Sequence, residues 1–278
     1  MMKINNDIKN LIKQALKEDI GKGDVTTNAL IPPKQQAKAV IVAKQSGVIA
    51  GLDIVRAVFT QLDKNINVRI LVKDGDKVSA NQKIIEIKGK ARAILTAERT
   101  ALNFMSHLSG IATLTRQFVD KAKPYNAKIL DTRKTMPGMR LLEKCAVKCG
   151  GGVNHRIGLW DGVLVKDNHI AVLGGEFSSI IIKKASKNMP IEIEVKNLNE
   201  LKEALKAKVD TILLDNMSIS QIKKSVAIRG KARVLLEVSG GVNLANVRQI
   251  AKAGPDRISI GALTHSAKAL NLSLIING

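Results

Sequence analysis

Residues 191–261 read IEIEVKNLNELKEALKAKVDTILLDNMSISQIKKSVAIRGKARVLLEVSGGVNLANVRQIAKAGPDRISIG. Short apolar runs recur in this stretch: IEIEV (191–195), TILLD (211–215), RVLLEV (233–238) and RISIG (257–261). Between them lie LNELKEALKA (198–207), SISQIKKSVAI (218–228) and NLANVRQIAKA (243–253), each with the pattern of an amphipathic helix. A near-continuous apolar strand is buried on both faces, and a helix with one apolar stripe is what covers it. Regular alternation of the two therefore predicts a parallel sheet clothed by helices. Working toward the N-terminus, AKILDT (127–132) and GVLVKD (162–167) bring the strands to six. Six such units with short loops predict an α/β barrel that stops short of the usual eight and stays open. A doubly wound open sheet is the competing arrangement, weakened because no G-x-G-x-x-G follows a strand.

In a parallel barrel the ligand site lies at the C-terminal ends of the strands. Here those ends carry Asp131-Thr132 followed by Arg133 and Lys134, then Lys166, Glu194 and Asp215. The last two strands run into Ser239-Gly240-Gly241 and Ile260-Gly261-Ala262. Strand register alone brings these groups to one face. The same region holds His155 and Arg156 in the segment GGGVNHRIG (150–158). Arg133, Lys134, Arg156 and Lys166 suit carboxylates and phosphates, the arginines as planar forks and the lysines as point charges. Glu194 and Asp215 would repel an anion directly. Among these cations they either hold Mg²⁺ or ribose hydroxyls, or close structural ion pairs with Lys166 or Lys196. Ser239-Gly240-Gly241 before a helix offers unobstructed backbone N–H groups to a phosphate. His155 reads equally as a site residue and as a hydrogen-bonded loop histidine. His107 and His265 read as structural, and Gly150-Gly151-Gly152 as a tight connection rather than a nucleotide loop.

Composition narrows the class. The chain has 278 residues, 45% of them apolar, enough for globular cores in one large domain or two smaller ones. No apolar run approaches the ~20 residues of a membrane span. The N-terminus lacks the apolar core of a signal peptide and instead spaces Ile4, Ile8, Leu11, Ile12 and Ala15 as a docked helix. A cytoplasmic protein is expected. Cys145 and Cys149 are the only cysteines; with His155 and His169 they match no familiar zinc spacing. The net charge of +21 favours anionic partners, nucleic acid and membrane surfaces included. The cations are dispersed, however, and aromatics are only 2%, so no stacking platform for single strands is present. No helix-turn-helix, zinc-finger or RNA-binding signature appears. Nucleic-acid binding stays as a second class, recognisable by a steep salt dependence. Residues 1–108 mix a helix with strand-like runs AKAVIVAK, INVRILVK and KIIEIKG. Their VKDGDKVSANQKIIEIKG resembles a lipoyl-type hairpin but lacks the modifiable lysine at its tip, and reads as a small β-rich domain.

The chain resembles the quinolinate phosphoribosyltransferase family. The resemblance rests on EDIGKGDVTT (18–27), AERTALNFMSHLSGIAT (97–113), DTRKTMPGMRLLEKCAVKCGGGVNHRIGLWDGVLVKDNHI (131–170), IEIEVKNLNE (191–200), LLDNMS (213–218), LEVSGGV (236–242) and ISIGALTHS (258–266), and spans nearly the whole length. It implies an N-terminal α/β sandwich domain over residues 1–108. An open, incomplete α/β barrel of about six parallel strands would follow over 109–267, with the tail from about 268 to 278 rejoining the first domain. It implies a head-to-tail homodimer with shared active sites. The implied reaction joins quinolinate to 5-phosphoribosyl 1-pyrophosphate with Mg²⁺, giving nicotinate mononucleotide, pyrophosphate and CO₂. By the same resemblance Thr132, Arg133, Lys134, His155, Arg156 and Lys166 line the quinolinate and phosphate region, and Glu194 and Asp215 face ribose and metal. Ser239, Gly240, Gly241, Ile260, Gly261 and Ala262 match phosphate-binding loops, and Arg99 reaches into the neighbouring subunit's site. Lys134, Lys166, Glu194 and Asp215 carry the catalytic roles. The closest rival is a paralogous branch associated with molybdate-transport genes, which shares the fold and the R-K-T-x-P-G segment.

Overall fold

The computed structural model describes residues 4–172, 189–207 and 209–277. They divide into two compact units, one drawn from residues 4–114, 137–151 and 267–277, the other from residues 115–136, 152–172, 189–207 and 209–266.

The first unit opens with α1 (Asn6–Ile20), whose N-terminus is capped by the Asn5 side chain accepting the Ile8 N–H. The cap satisfies one of the orphan amides of the first turn. Ile8, Ile12 and Leu16 form the buried stripe, four residues apart as a helix face requires. After α2 (Val25–Leu30) come strands β1 (Gln36–Ala43) and β2 (Gly47–Val48), then α3 (Leu52–Leu62). Strands β3 (Asn67–Ile70), β4 (Lys77–Val78) and β5 (Lys83–Lys90) follow. The C-terminal strand β12 (Leu272–Asn277) adds to this sheet, whose order is β12-β1-β5-β3 and whose pairs are antiparallel. Helix α4 (Ala91–Ala122) begins here, and α5 (Arg140–Cys149) belongs to the same unit. Gly151, at φ +90°, follows the C-cap of α5 and donates its N–H to the Lys148 carbonyl. It thus turns the chain out of a helix.

The tail crosses α4 at Gly110. A Cβ there would stand 2.2 Å from the Lys268 carbonyl oxygen and 3.1 Å from the Ala269 Cα. Alanine is otherwise the better helix former by roughly 0.5–1 kcal/mol. Gly110→Ala is therefore expected to invert that preference and destabilise the protein by about 2 kcal/mol through overpacking. Denaturant unfolding checks this; a variant as stable as the wild type would show that the tail yields freely.

The second unit is built on six parallel strands: β6 (Lys128–Leu130), β7 (Val163–Val165), β8 (Ile191–Val195), β9 (Thr211–Asp215), β10 (Leu235–Ser239) and β11 (Arg257–Ser259). Their order is β6-β11-β10-β9-β8-β7. From β7 to β11 each strand lies beside its predecessor, and the first strand joins the last. A doubly wound sheet reverses direction partway; this one does not, so the barrel expectation holds. β6 and β7 are the edges. Beside β6 the chain at Val153 makes a single parallel bridge to Leu130, with Val153 N–H donating to the Ile129 carbonyl and Asp131 N–H to the Val153 carbonyl.

Among the described residues, the helices that begin in this unit are α6 (Asp167–Val172), α7 (Leu198–Lys206), α8 (Ile219–Arg229), α9 (Val247–Lys252) and α10 (Ala262–His265). α7 starts at an Asn197 cap and α8 at a Ser218–Gln221 capping box. The helix expected over 243–253 begins only at Val247. The Asn243 side chain accepts the N–H groups of Ala245 and Asn246, holding a turn ahead of it. Among the described residues, no helix is long and apolar enough to cross a membrane.

Candidate active site

The strand ends of the second unit surround a cavity of about 730 Å³. Thr132, Arg133 and Lys134 enter it after β6 and Lys166 after β7, with Glu194 on β8 and Asp215 at the end of β9. Ser239, Gly240 and Gly241 line it from β10, and Ile260, Gly261 and Ala262 from β11. His155 and Arg156 complete the wall. The structure thus gathers every site residue expected from the sequence except Arg99. Arg99 is exposed on α4 and has no ion-pair partner among the described residues.

The loops hold their side chains by local bonds. The Lys134 N–H donates to Thr132 Oγ1 at 3.0 Å, and the Lys134 carbonyl accepts from Thr264 Oγ1 at 2.7 Å. Its aliphatic stem lies over Gly261, where a Cβ would come within 2.8 Å of Lys134 Cδ. Lys166 Nζ is 3.0 Å from Glu194 Oε2, so this pair does close as one reading of the sequence had it. Lys196 instead bonds Asp167, and that hydrogen bond holds the Asp167 carboxyl below its usual range.

At the ends of β9 and β10, Asn216 adopts φ +52° and donates its backbone N–H to the Ser239 carbonyl. Its side-chain amide donates to Asp215 Oδ2 at 2.9 Å. Gly240 (φ +92°) and Gly241 (φ +63°) follow in the left-handed region, where glycine avoids the Cβ penalty. The result is a turn of bare backbone at the cavity wall.

Among the cations lining the cavity, Arg133 and Arg156 are set apart because the Nε of each is buried with no hydrogen-bond partner. Arg156 Nη1 donates to the Gly162 carbonyl at 2.9 Å. Burial lowers the Arg156 pKa, and the positive charge of Arg133 lowers it further. Two desolvated guanidiniums that repel one another are poised for an anion that offsets both charges.

His155 turned out to be more deeply engaged than either reading of the sequence supposed. Its backbone N–H donates to Asp131 Oδ1 at 2.9 Å, and its Nδ1 accepts the Arg156 N–H at 2.8 Å. Its Nε2 lies 2.8 Å from Glu192 Oε2 and 3.4 Å from Glu237 Oε1. Burial opposes a charge on this ring, but the two carboxylates outweigh burial and push its pKa up to about 9. Burial also raises the Glu192 pKa. The N–H facing Nδ1 favours an unprotonated nitrogen there, so the added proton belongs to the ring and carboxylates as a group.

Glu192 and Glu237 were missed from the sequence. The available signals were the spacing of Glu192 two residues before Glu194, hence on one strand face, and a lone acid inside the apolar run LLEVS. Leu164, Leu213, Asn216, Ser259 and His265 also line the cavity. His265, expected to be structural, lies beside Gly261, its Nδ1 2.6 Å from Ser266 Oγ. His107 bonds the buried Glu143 in the first unit at 2.8 Å.

Comparison with known proteins bears on both units. Residues 24–109 match the family model of the quinolinate phosphoribosyl transferase N-terminal domain, and residues 111–275 that of its C-terminal domain. A probable nicotinate-nucleotide pyrophosphorylase [carboxylating] of Methanocaldococcus jannaschii is 43% identical, the alignment covering 96% of each chain. The solved nicotinate-nucleotide pyrophosphorylase of Francisella tularensis superposes with a TM-score of 0.92 at 44% identity, over 99% of this chain and 98% of that one. That of Ehrlichia chaffeensis gives 0.93 at 44% identity, over 99% and 100%.

Proposed function

The chain belongs to the quinolinate phosphoribosyltransferase family, and from that membership we infer how the mouth of its barrel performs the family's reaction. The enzyme transfers the phosphoribosyl group of 5-phosphoribosyl 1-pyrophosphate to quinolinate and decarboxylates the adduct, giving nicotinate mononucleotide for NAD synthesis. The domain matches and the names of the relatives favour this reaction over the paralogous branch and over nucleic-acid binding.

The observation that carries the assignment of residues is the pair of buried, unpartnered guanidinium Nε groups of Arg133 and Arg156 beside a strand-end carboxylate pair and a glycine turn. The guanidiniums are matched to the two carboxylates of quinolinate. Lys134 and Lys166 add point charges, Lys166 being held by Glu194 when no anion competes for it. The backbone of Ser239-Gly240-Gly241 and of Ile260-Gly261-Ala262 receives the phosphate groups of the ribose donor. Glu194 and Asp215 face the ribose. Their carboxylate oxygens on one cavity wall also suit a hard cation such as Mg²⁺. When bound, that ion supplies positive charge toward the leaving pyrophosphate.

The pyridine nitrogen forms its bond to the anomeric carbon as the C–O bond to pyrophosphate breaks, the electron pair leaving with pyrophosphate. Lys134 and Lys166 lie where negative charge develops and stabilise it without reorganisation. The quaternised nitrogen is then the electron sink for the neighbouring carboxylate, which departs as CO₂ while a proton takes its place on the ring carbon. Arg133 and Arg156 hold the ring in register for both steps. No strong base is required, in keeping with the absence of a nucleophile–base pair from the roles assigned to this wall.

Incubation with quinolinate, 5-phosphoribosyl 1-pyrophosphate and Mg²⁺ should release CO₂ and nicotinate mononucleotide in equal amounts. Product from nicotinate without CO₂ would overturn the substrate assignment. The exposed Arg99 is assigned to the site of a second copy. Arg99→Ala and Lys166→Ala proteins should each be inactive, and mixing them should restore about a quarter of wild-type activity, since half the dimers are hybrid with one intact site each. Full subunit exchange without recovery would place Arg99 elsewhere.

A further inference from the structure

Glu237 is wholly buried within β10, its side chain has no exposed surface, and neither carboxylate oxygen has a hydrogen-bond partner. An undonated buried carboxylate is costly by several kcal/mol, and an apolar residue would serve the barrel interior better. The group nearest to neutralising it is His155 Nε2, at 3.4 Å. His155 Nε2, Glu192 and Glu237 bring their ligating atoms within 4.8 Å of one another.

These contacts lead to the loop of Arg156. His155 is fastened at its backbone N–H by Asp131, at Nε2 by Glu192, and at Nδ1 to the N–H of Arg156 itself. The ring is therefore a strut between the strands and the turn that delivers a guanidinium to the cavity. With both nitrogens engaged inside the protein, it has neither left for substrate. We propose that Glu237 is a positioning residue for quinolinate binding, acting through His155 to fix the turn that presents Arg156. The proposal rests on the assignment of Arg133 and Arg156 to quinolinate, and goes beyond it by naming what holds Arg156 in place.

The charged groups around the ring are Asp131 after β6, Arg133 and Arg156 on the cavity loops, Glu192 on β8, Glu237 on β10, Arg257 on β11 and Asp161 in the following loop. Arg257 is the register partner of Glu237 on the neighbouring strand. The Arg156 N–H needs a lone pair on Nδ1, so the strut is a ring protonated at Nε2, toward the carboxylates, and it requires no second proton. The two carboxylates hold the ring pKa up at about 9, and removing the Glu237 charge lowers it.

The test is Glu237→Gln, with wild-type protein as its reference. The KM for quinolinate should rise about tenfold at neutral pH, the scale of one lost charge-assisted contact. The turnover number and the KM for the ribose donor should stay within about twofold of wild type. A parallel rise of both KM values would overturn the proposal. The chain has four histidines, so the imidazole NMR signal of His155 is assignable by its loss in His155→Asn. It should titrate above the ordinary histidine range in wild type and lower in Glu237→Gln. An ordinary wild-type titration would overturn the proposal. So would stoichiometric Mn²⁺ quenching of that signal in a Glu194→Gln/Asp215→Asn protein, which would make the cluster a metal centre. The NMR result stands whether or not quinolinate is turned over, and absence of CO₂ release from wild type would sink the substrate assignment alone.

Discussion

Arg133→Ala lowers kcat/KM for quinolinate by about two to three orders of magnitude, a loss of about 3–4 kcal/mol of transition-state stabilisation. The size follows from the surroundings of this guanidinium. Its Nε is buried and unpartnered, and it faces the like charge of Arg156. An anion between the two is bound by desolvated charges, worth far more than the same pair in water. Removing one leaves a substrate carboxylate buried with half its compensation. Arg133→Lys should recover only a small part, because an ammonium cannot reproduce the planar fork. Steady-state kinetics with quinolinate varied decide the matter. Near-normal turnover in Arg133→Ala would remove Arg133 from the quinolinate grip.

Gly240→Ala is expected to raise the KM for 5-phosphoribosyl 1-pyrophosphate by about a hundredfold. Two effects add. The residue sits at φ +92°, a conformation that costs an L side chain roughly 1–2 kcal/mol. Its new Cβ would also stand 2.1 Å from Asn216 Oδ1 and 3.0 Å from the Asn216 amide nitrogen. The side-chain oxygen can rotate away, but only by releasing the amide from Asp215. The backbone nitrogen cannot move without disturbing its bond to the Ser239 carbonyl. The strain therefore falls on the turn assigned to phosphate and on Asp215 together. Gly241→Ala supplies the comparison: it shares the positive φ, but nothing lies within 4 Å of its Cβ, so it should show the conformational part alone. Equal effects from the two substitutions would show that the Asn216 contact contributes nothing.

The barrel was legible because parallel strands buried on both faces are spelled in nearly unbroken apolar letters. TILLD, for example, is buried at every position but the last. Strand register then converted a list of strand ends into one cavity wall without any side-chain geometry. What stayed hidden depends on contacts across the barrel. IEIEV counts among the apolar runs of the barrel although two of its five residues are acids, and nothing within the strand shows that Glu192 is buried. Its partner, His155, arrives from a loop beside β6, far away in the chain. The start of α9 was misread for a local reason: an asparagine side chain claimed amides that the helical pattern had assigned to the next turn.

The pairing of β1 with β12 has a consequence for biosynthesis. Ala43 lies opposite Leu272, so the sheet of the first unit cannot close until residue 272 has left the ribosome. A contact of such sequence separation forms late and slowly. During that interval β1 presents a bare edge, rich in β-branched and apolar residues, of the kind that recruits strands from other chains. Synthesis that stops short of residue 272 makes this exposure permanent. Strand β12 thus acts as a check, dividing chains that contain it from shorter fragments by their tendency to aggregate.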